Sequence, residues 1–147
     1  QIKRGLYVFP DALPPEVYIA NKLYSPSYIS LEFALSYHGV IPETVYEITS
    51  VTTKATSRFE ILGKIFSFHK IKKAAYTGYE IQKQQGIGFY IADAEKAFVD
   101  ANYLRFINGQ KPVSCFHKEK INPEKALGYA KLFDNPKFAD IIKTALL

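Results

Sequence analysis

Between Val45 and Ala92 the chain strings strand after strand across two glycine-centred turns, and this block constrains the fold more than any other feature. Val45 to Thr53 is β-branched and threonine-rich, which predicts a strand. Phe59–Leu62 and Lys64–Ile71 flank Gly63, and Ile65, Ser67, His69 and Ile71 alternate with Phe66, Phe68 and Lys70. That pattern predicts a hairpin. A second hairpin is predicted from Tyr79–Lys83 and Ile87–Ala92 around Gln84-Gln85-Gly86. Strands joined by such short turns pair antiparallel. Ile2 to Phe9, interrupted at Gly5, reads as one more strand.

Helix signals bracket the block. Pro15 can open a short helix to about Leu23, with Val17, Ala20 and Tyr24 on one side, and Ser25-Pro26-Ser27 interrupts it. Ser30 is placed to cap a helix in which Leu31, Ala34, Leu35 and His38 share a face, with Gly39 at its end. Asp93 caps another, whose stripe is Ala94, Ala97, Phe98, Ala101 and Leu104. Asn122-Pro123 and Asn135-Pro136 each set a cap before a first-turn proline. Their stripes are Ala126, Tyr129, Ala130 and Phe133, then Phe138, Ile141, Ile142 and Ala145. The expected class is α+β: an antiparallel sheet of about five strands flanked by N-terminal and C-terminal helices.

Composition narrows the setting. Cys115 is the single cysteine, so no internal disulfide forms and a reducing compartment fits. No apolar run approaches the ~18 residues of a membrane span and no signal peptide leads the chain, which predicts no membrane partner and a cytoplasmic location. The 11 Tyr and 11 Phe read as half-buried rings on strands and element ends. A base-stacking platform is the sharper alternative, and the spacing does not single one out. The 147 residues contain no Met, even at position 1, and begin in an extended run. This predicts missing residues upstream.

The search for catalytic chemistry returns little. A metal-dependent nuclease commonly carries Asp/Glu-x-Lys on a strand, and Glu60 with Lys64 and Glu80 with Lys83 miss that spacing. Asp93-Ala-Glu95 comes nearest to a paired-acid metal motif, but it falls at a helix start, where a cap and a favourable first-turn charge account for it. Cys115, His117, His38 and His69 are too scattered for a zinc site. His38 reads as a structural histidine or a favourable helix-end charge. Gly86-Ile-Gly88 precedes a strand and not a helix, so it reads as a turn and not a phosphate loop. The expectation is no enzyme, no metal and no cofactor.

Charge is the one uneven feature. Lys54, Arg58, Lys64, Lys70, Lys72 and Lys73 stand against Glu60 alone, which concentrates here an excess equal to the chain's whole net +5. Lys64 and Lys70 share parity on one strand with Phe66 and Phe68 between them. Such a face attracts phosphate, and it equally fits a solvated edge that lysines protect from aggregation.

Three phrases then carry a resemblance. Tyr24-Ser-Pro-Ser-Tyr-Ile-Ser-Leu-Glu-Phe-Ala-Leu-Ser-Tyr-His-Gly39 with Ile41-Pro42, Tyr46-Glu-Ile-Thr-Ser-Val-Thr-Thr53, and Ile91-Ala-Asp-Ala-Glu-Lys-Ala-Phe-Val-Asp100 occur in this order. Together they resemble the AbiEi antitoxin family over roughly residues 1 to 105, although Asp93-Ala94 replaces the family's usual Thr-Pro. The last two helices match only in kind. Arg4-Gly5-Leu6-Tyr7-Val8 resembles the final wing strand of the family's N-terminal winged helix-turn-helix. The resemblance implies a truncated head over residues 1–9 and an antitoxin domain over 10–147. It implies an antitoxin and autoregulatory repressor of a type IV abortive-infection operon, which counteracts a nucleotidyltransferase-like toxin without a stable toxin complex. Operator DNA, bound through the full-length protein, and an RNA shared with the toxin are the expected partners. Candidate nucleic-acid-binding residues are Lys3, Arg4 and Tyr7 with Lys54, Arg58, Lys64, Lys70, Lys72 and Lys73. A restriction-endonuclease-like nuclease and a pure protein-interaction module are the alternatives.

Overall fold

Two tight turns set the sheet. Leu62 and Gly63 have φ of 52° and 77°, and Gln85 and Gly86 have 53° and 76°. Positive φ at both central residues is the mark of a type I′ turn, whose twist matches that of a two-residue hairpin. The hairpins are β3 (Ser57–Ile61) with β4 (Lys64–Lys70), and β5 (Tyr79–Gln84) with β6 (Ile87–Ala92). Both were legible in the sequence to within two residues.

The computed structural model describes residues 14–147. The expected strand over 2–9, with Lys3, Arg4 and Tyr7, lies outside the described residues. Between and around the hairpins run α1 (Glu16–Leu23), β1 (Ser27–Ile29), α2 (Leu31–Tyr37), β2 (Ile48–Thr52), α3 (Ala94–Ile107), α4 (Pro123–Lys131) and α5 (Pro136–Ala145). The class is α+β, as expected, but the sheet differs. It has six strands in the order β3-β4-β2-β1-β6-β5, and it is mixed. Three pairs are antiparallel; β2 runs parallel to β4 and β1 parallel to β6. Each hairpin puts its second strand inward, so β3 and β5 are the edges. The turn rule fixes pairing within a hairpin and says nothing about which strand meets the centre.

Register assigns the faces. Ile48 and Ser50 of β2 sit beside Phe66 and Phe68 of β4, and Phe59 of β3 lies across from Phe66. α1 covers this face: Tyr24, just past its end, meets Phe59 and Phe68 at ring-centroid distances of 5.8 and 5.1 Å. The opposite face carries Tyr28 of β1 beside Val51 of β2, with Thr49 in line. Phe33 N of α2 donates to Thr49 Oγ1 there, and Asp100 of α3 meets Tyr28. Helix α3 is buried at every position from Glu95 to Tyr103, because α4 and α5 close over its outer side. Asn122 and Asn135 cap those two helices through Lys125 N and Phe138 N, as their Asn-Pro pairs predict.

Candidate nucleic-acid interface

The three resembling phrases meet in the interior. Ser30 N donates to the Thr49 carbonyl at 3.0 Å, and Thr49 Oγ1 donates back to the Ser30 carbonyl at 2.6 Å, which ties the first phrase to the second. His38 Nε2 donates to the Ala92 carbonyl at 2.7 Å, which ties the first to the third. His38 is thus a structural histidine, one of the two expected readings.

At the centre of this joint, Lys96 and Asp100 form a fully buried pair at 2.5 Å. Asp100 Oδ2 accepts from Tyr28 Oη at 3.0 Å and from Ser30 Oγ at 2.8 Å, and Lys96 Nζ also donates to Tyr28 Oη at 2.9 Å. Ser30 begins α2 as expected, but its hydroxyl serves Asp100 and makes no cap bond. Burial pushes the Asp100 carboxyl above the usual carboxylate range, opposed by Lys96, Ser30 and Tyr28. Burial, with Asp100 adding to it, drives the Tyr28 phenol far upward. Gly78 closes the lid: with φ of 80°, it lies where a Cβ would meet Lys96 Cγ at 2.7 Å.

Asp93 caps α3 as expected, while Glu95 in the first turn reaches across to the start of α4. Asp93 Oδ1 accepts from Lys96 N at 2.8 Å and Oδ2 from Tyr129 Oη at 2.6 Å, while Glu95 Oε2 accepts from Asn122 N at 2.9 Å. Lys125 lies 3.2 Å from Asp93 and 3.6 Å from Glu95. The hydrogen bond to Asp93 chiefly holds the Lys125 ammonium above its ordinary value. Among the described residues no three His, Cys, Asp or Glu gather as a metal set.

The six cations do not share one face. Lys64 and Lys70 point the same way by parity, but six residues of strand put them about 20 Å apart. The face between them is filled by Phe66 and Phe68 under α1, and Lys64 pairs with Glu16 at 3.4 Å. Arg58 aligns with Ser67 and so points to the opposite face. What the fold brings together is a rim. β2 and β4 run parallel, so Lys54, Lys70, Lys72 and Lys73 follow two strand ends at the same end of the sheet. Lys54 Nζ donates to the Ser25 carbonyl at 2.9 Å and sits 4.7 Å from the Tyr24 ring centroid; Lys72 Nζ donates to the Phe133 carbonyl at 2.5 Å. Lys70 and Lys73 are exposed.

A cleft of about 480 Å3 opens close to this rim, at residues the sequence did not single out. There β1 pairs with β2 at all three of its residues but meets β6 at a single pair, Ile29 with Ile91. One residue earlier on β6, Tyr90 has no strand neighbour on that side. Asn21 of α1 takes the place of one: Tyr90 N donates to Asn21 Oδ1 at 2.5 Å and Asn21 Nδ2 donates to the Tyr90 carbonyl at 3.3 Å. Tyr18 and Lys22 of α1 line one side, and Tyr76, Tyr79 and Tyr90 the other. Tyr79 stacks on Tyr28 at 4.7 Å and 19°, and Tyr90 stands edge-on to Tyr79 at 5.6 Å and 89°. The available signal was the abundance of tyrosine; which rings converge depends on a sheet order that local spacing does not encode.

No family model matches the chain, and no curated protein and no solved structure matches it. Among the described residues no helix is long and apolar enough to cross a membrane.

Proposed function

We propose that this chain is the body of an AbiEi-type antitoxin and autoregulatory repressor, acting in the cytoplasm against a nucleotidyltransferase-like toxin. The observation that supports the reading is the joint at Ser30, Thr49, His38, Lys96 and Asp100. The three phrases that carry the resemblance are far apart in sequence, yet Ser30 binds both Thr49 and Asp100 in one buried network, and a separate half-buried bond joins His38 to the Ala92 carbonyl. Shared residue types at such a joint argue for a shared fold, since an unsatisfied polar group there is costly. The same network engages the buried Lys96–Asp100 pair internally, which suits a body that acts by binding.

Growth rescue tests the proposal. The chain is induced in bacteria that carry an AbiE-type nucleotidyltransferase toxin under separate control. Growth is expected to resume, with no toxin retained on the tagged chain through a wash. Persistent arrest, with the chain soluble and folded in excess over toxin, would overturn it.

A further inference from the structure

We propose that the cleft between β1 and β6 holds an unpaired base of a single-stranded nucleic acid, whose phosphates follow Lys22 and Lys54. The inference rests on the cleft alone and stands whether or not the chain is an antitoxin.

Three features select this ligand. Tyr79 has one side of its ring against Tyr28 and is 40% exposed, and Tyr90 is 44% exposed. Tyr76 and Tyr90 lean on Tyr79 at 5.4 and 5.6 Å, so the part-exposed rings of Tyr79 and Tyr90 form an aromatic wall on which a base can pack, and every base has a face that stacks so. Asn21, Ser25 and Ser27 give the cleft a polar side, toward which the polar edge of a base can turn. The third feature is charge. Among the described residues no acid lines the cleft, and Lys22 does. Lys54 holds the carbonyl of Ser25, itself a lining residue, and Lys73 lies three residues before Tyr76.

These observations also exclude neighbouring chemistries. A quaternary ammonium would suit the tyrosines but would meet the Lys22 ammonium. A duplex keeps its bases stacked and cannot present one to a cleft walled on both sides. A nucleotide fits the volume, since ligand clefts of this kind span about 300–1,000 Å3. The rim of Lys54, Lys70 and Lys73 adds sites for further phosphates, which favours a strand over a free nucleotide.

The test is anisotropy of a labelled oligouridine of about twelve nucleotides, compared with oligothymidine, a duplex of equal length, and free uridine monophosphate as competitor. The single strands are expected to bind and the duplex to bind more weakly. Tyr79→Leu and Tyr90→Leu should each weaken single-strand binding by roughly five- to a hundredfold, the span of one base–aromatic stack. Tyr79→Phe should retain it. Lys22→Ala and Lys54→Ala should each make the plot of log affinity against log salt shallower by about 0.7. Lys64→Ala, at the other end of the sheet, should leave affinity unchanged. The chain has no Trp, so stacking is also read directly as quenched tyrosine fluorescence, lost in Tyr79→Leu. Equal binding of duplex and single strand, unaltered affinity in folded Tyr79→Leu, or uridine monophosphate binding as tightly as the oligonucleotide would each overturn the proposal.

Discussion

Removing the Asp100 carboxylate should be among the most damaging single changes in this protein. In Asp100→Ala the Lys96 ammonium stays at 0% exposure, with Tyr28 Oη at 2.9 Å as its remaining hydrogen-bond partner and the Phe133 ring 5.3 Å away. Stranding one member of a buried ion pair costs about 3–5 kcal/mol. The Ser30 hydroxyl, 2.8 Å from the lost oxygen, is orphaned as well, at about 1–3 kcal/mol. Against the roughly 5–15 kcal/mol that holds a domain folded, this leaves little or nothing. With a urea dependence of about 2 kcal/mol per molar, the denaturation midpoint should fall by roughly 2–4 M. The double variant Lys96→Met/Asp100→Leu removes both charges, and well-packed apolar replacements of buried pairs are often neutral or stabilising. It should recover most of the loss, short of the cost at the Tyr28 and Ser30 hydroxyls. Urea unfolding of the parent, Lys96→Met, Asp100→Leu and the double variant closes the cycle. A midpoint for Asp100→Ala within half a molar of the parent, on a scale of about 2 kcal/mol per molar, would refute the reasoning. So would a double variant that loses the sum of the two singles.

Gly78→Ala should cost about 2–4 kcal/mol, combining left-handed backbone strain with displacement of the Lys96 stem. Gly63→Ala shares a positive φ but has open space at its Cβ, and should cost about 1–2 kcal/mol by thermal unfolding. Burial lowers the half-buried His69 below its ordinary value near 6.5, against the opposing pull of Glu47 and Glu32. The unfolded chain therefore takes up the proton first as pH falls, so stability should drop between pH 6.5 and the lowered folded value and then level off. His69→Gln should flatten that slope in urea titrations. Finally, magnesium or manganese should elicit no cleavage of plasmid or tRNA, because Asp93 and Glu95 are engaged with Lys96 N, Tyr129, Asn122 N and Lys125. Metal-dependent turnover that disappears in Asp93→Asn would contradict this.

The helices and both hairpins were legible because their signals are local: a cap residue, a proline at the first turn, a period of two or of 3.6. The strand Ser27–Ile29 was not, since three residues buried on both faces offer no alternation to read. Parallel pairing was not legible either, because β2 meets β4 only after β3 has been turned out to the edge. A signal for that choice does exist. Phe66 and Phe68 of β4 are buried, whereas Arg58 and Glu60 of β3 are exposed, and charged residues mark an edge strand. The Lys96–Asp100 pair is hidden for a different reason. Lys and Asp at i and i+4 read as a surface ion pair on an isolated helix. Here α3 lays that pair on Tyr28 and Ser30, with Gly78 and Phe133 closing around it, which turns the surface into interior.

The basic cluster illustrates what a charge count can and cannot deliver. Parity placed Lys64 and Lys70 on one side of β4 correctly, but parity carries no information about what lies between them, and here that is Phe66 and Phe68 under α1. Parallel pairing of β2 and β4 then regroups the remaining lysines at one end of the sheet. The same short β1 that escaped the sequence reading brings its leading loop, Ser25 and Pro26, to that end opposite the last residues of β2. Because β1 stops short of pairing along β6, Tyr90 is left to Asn21, and a space lined by tyrosines opens between helix and hairpin. Cations and rings thus converge at one end of the sheet, the cations at the ends of β2 and β4 and the rings where β1 parts from β6. Lengthening that strand's pairing with β6 would close the cleft and leave the basic rim in place, so the contributions of stacking and of charge are physically separable.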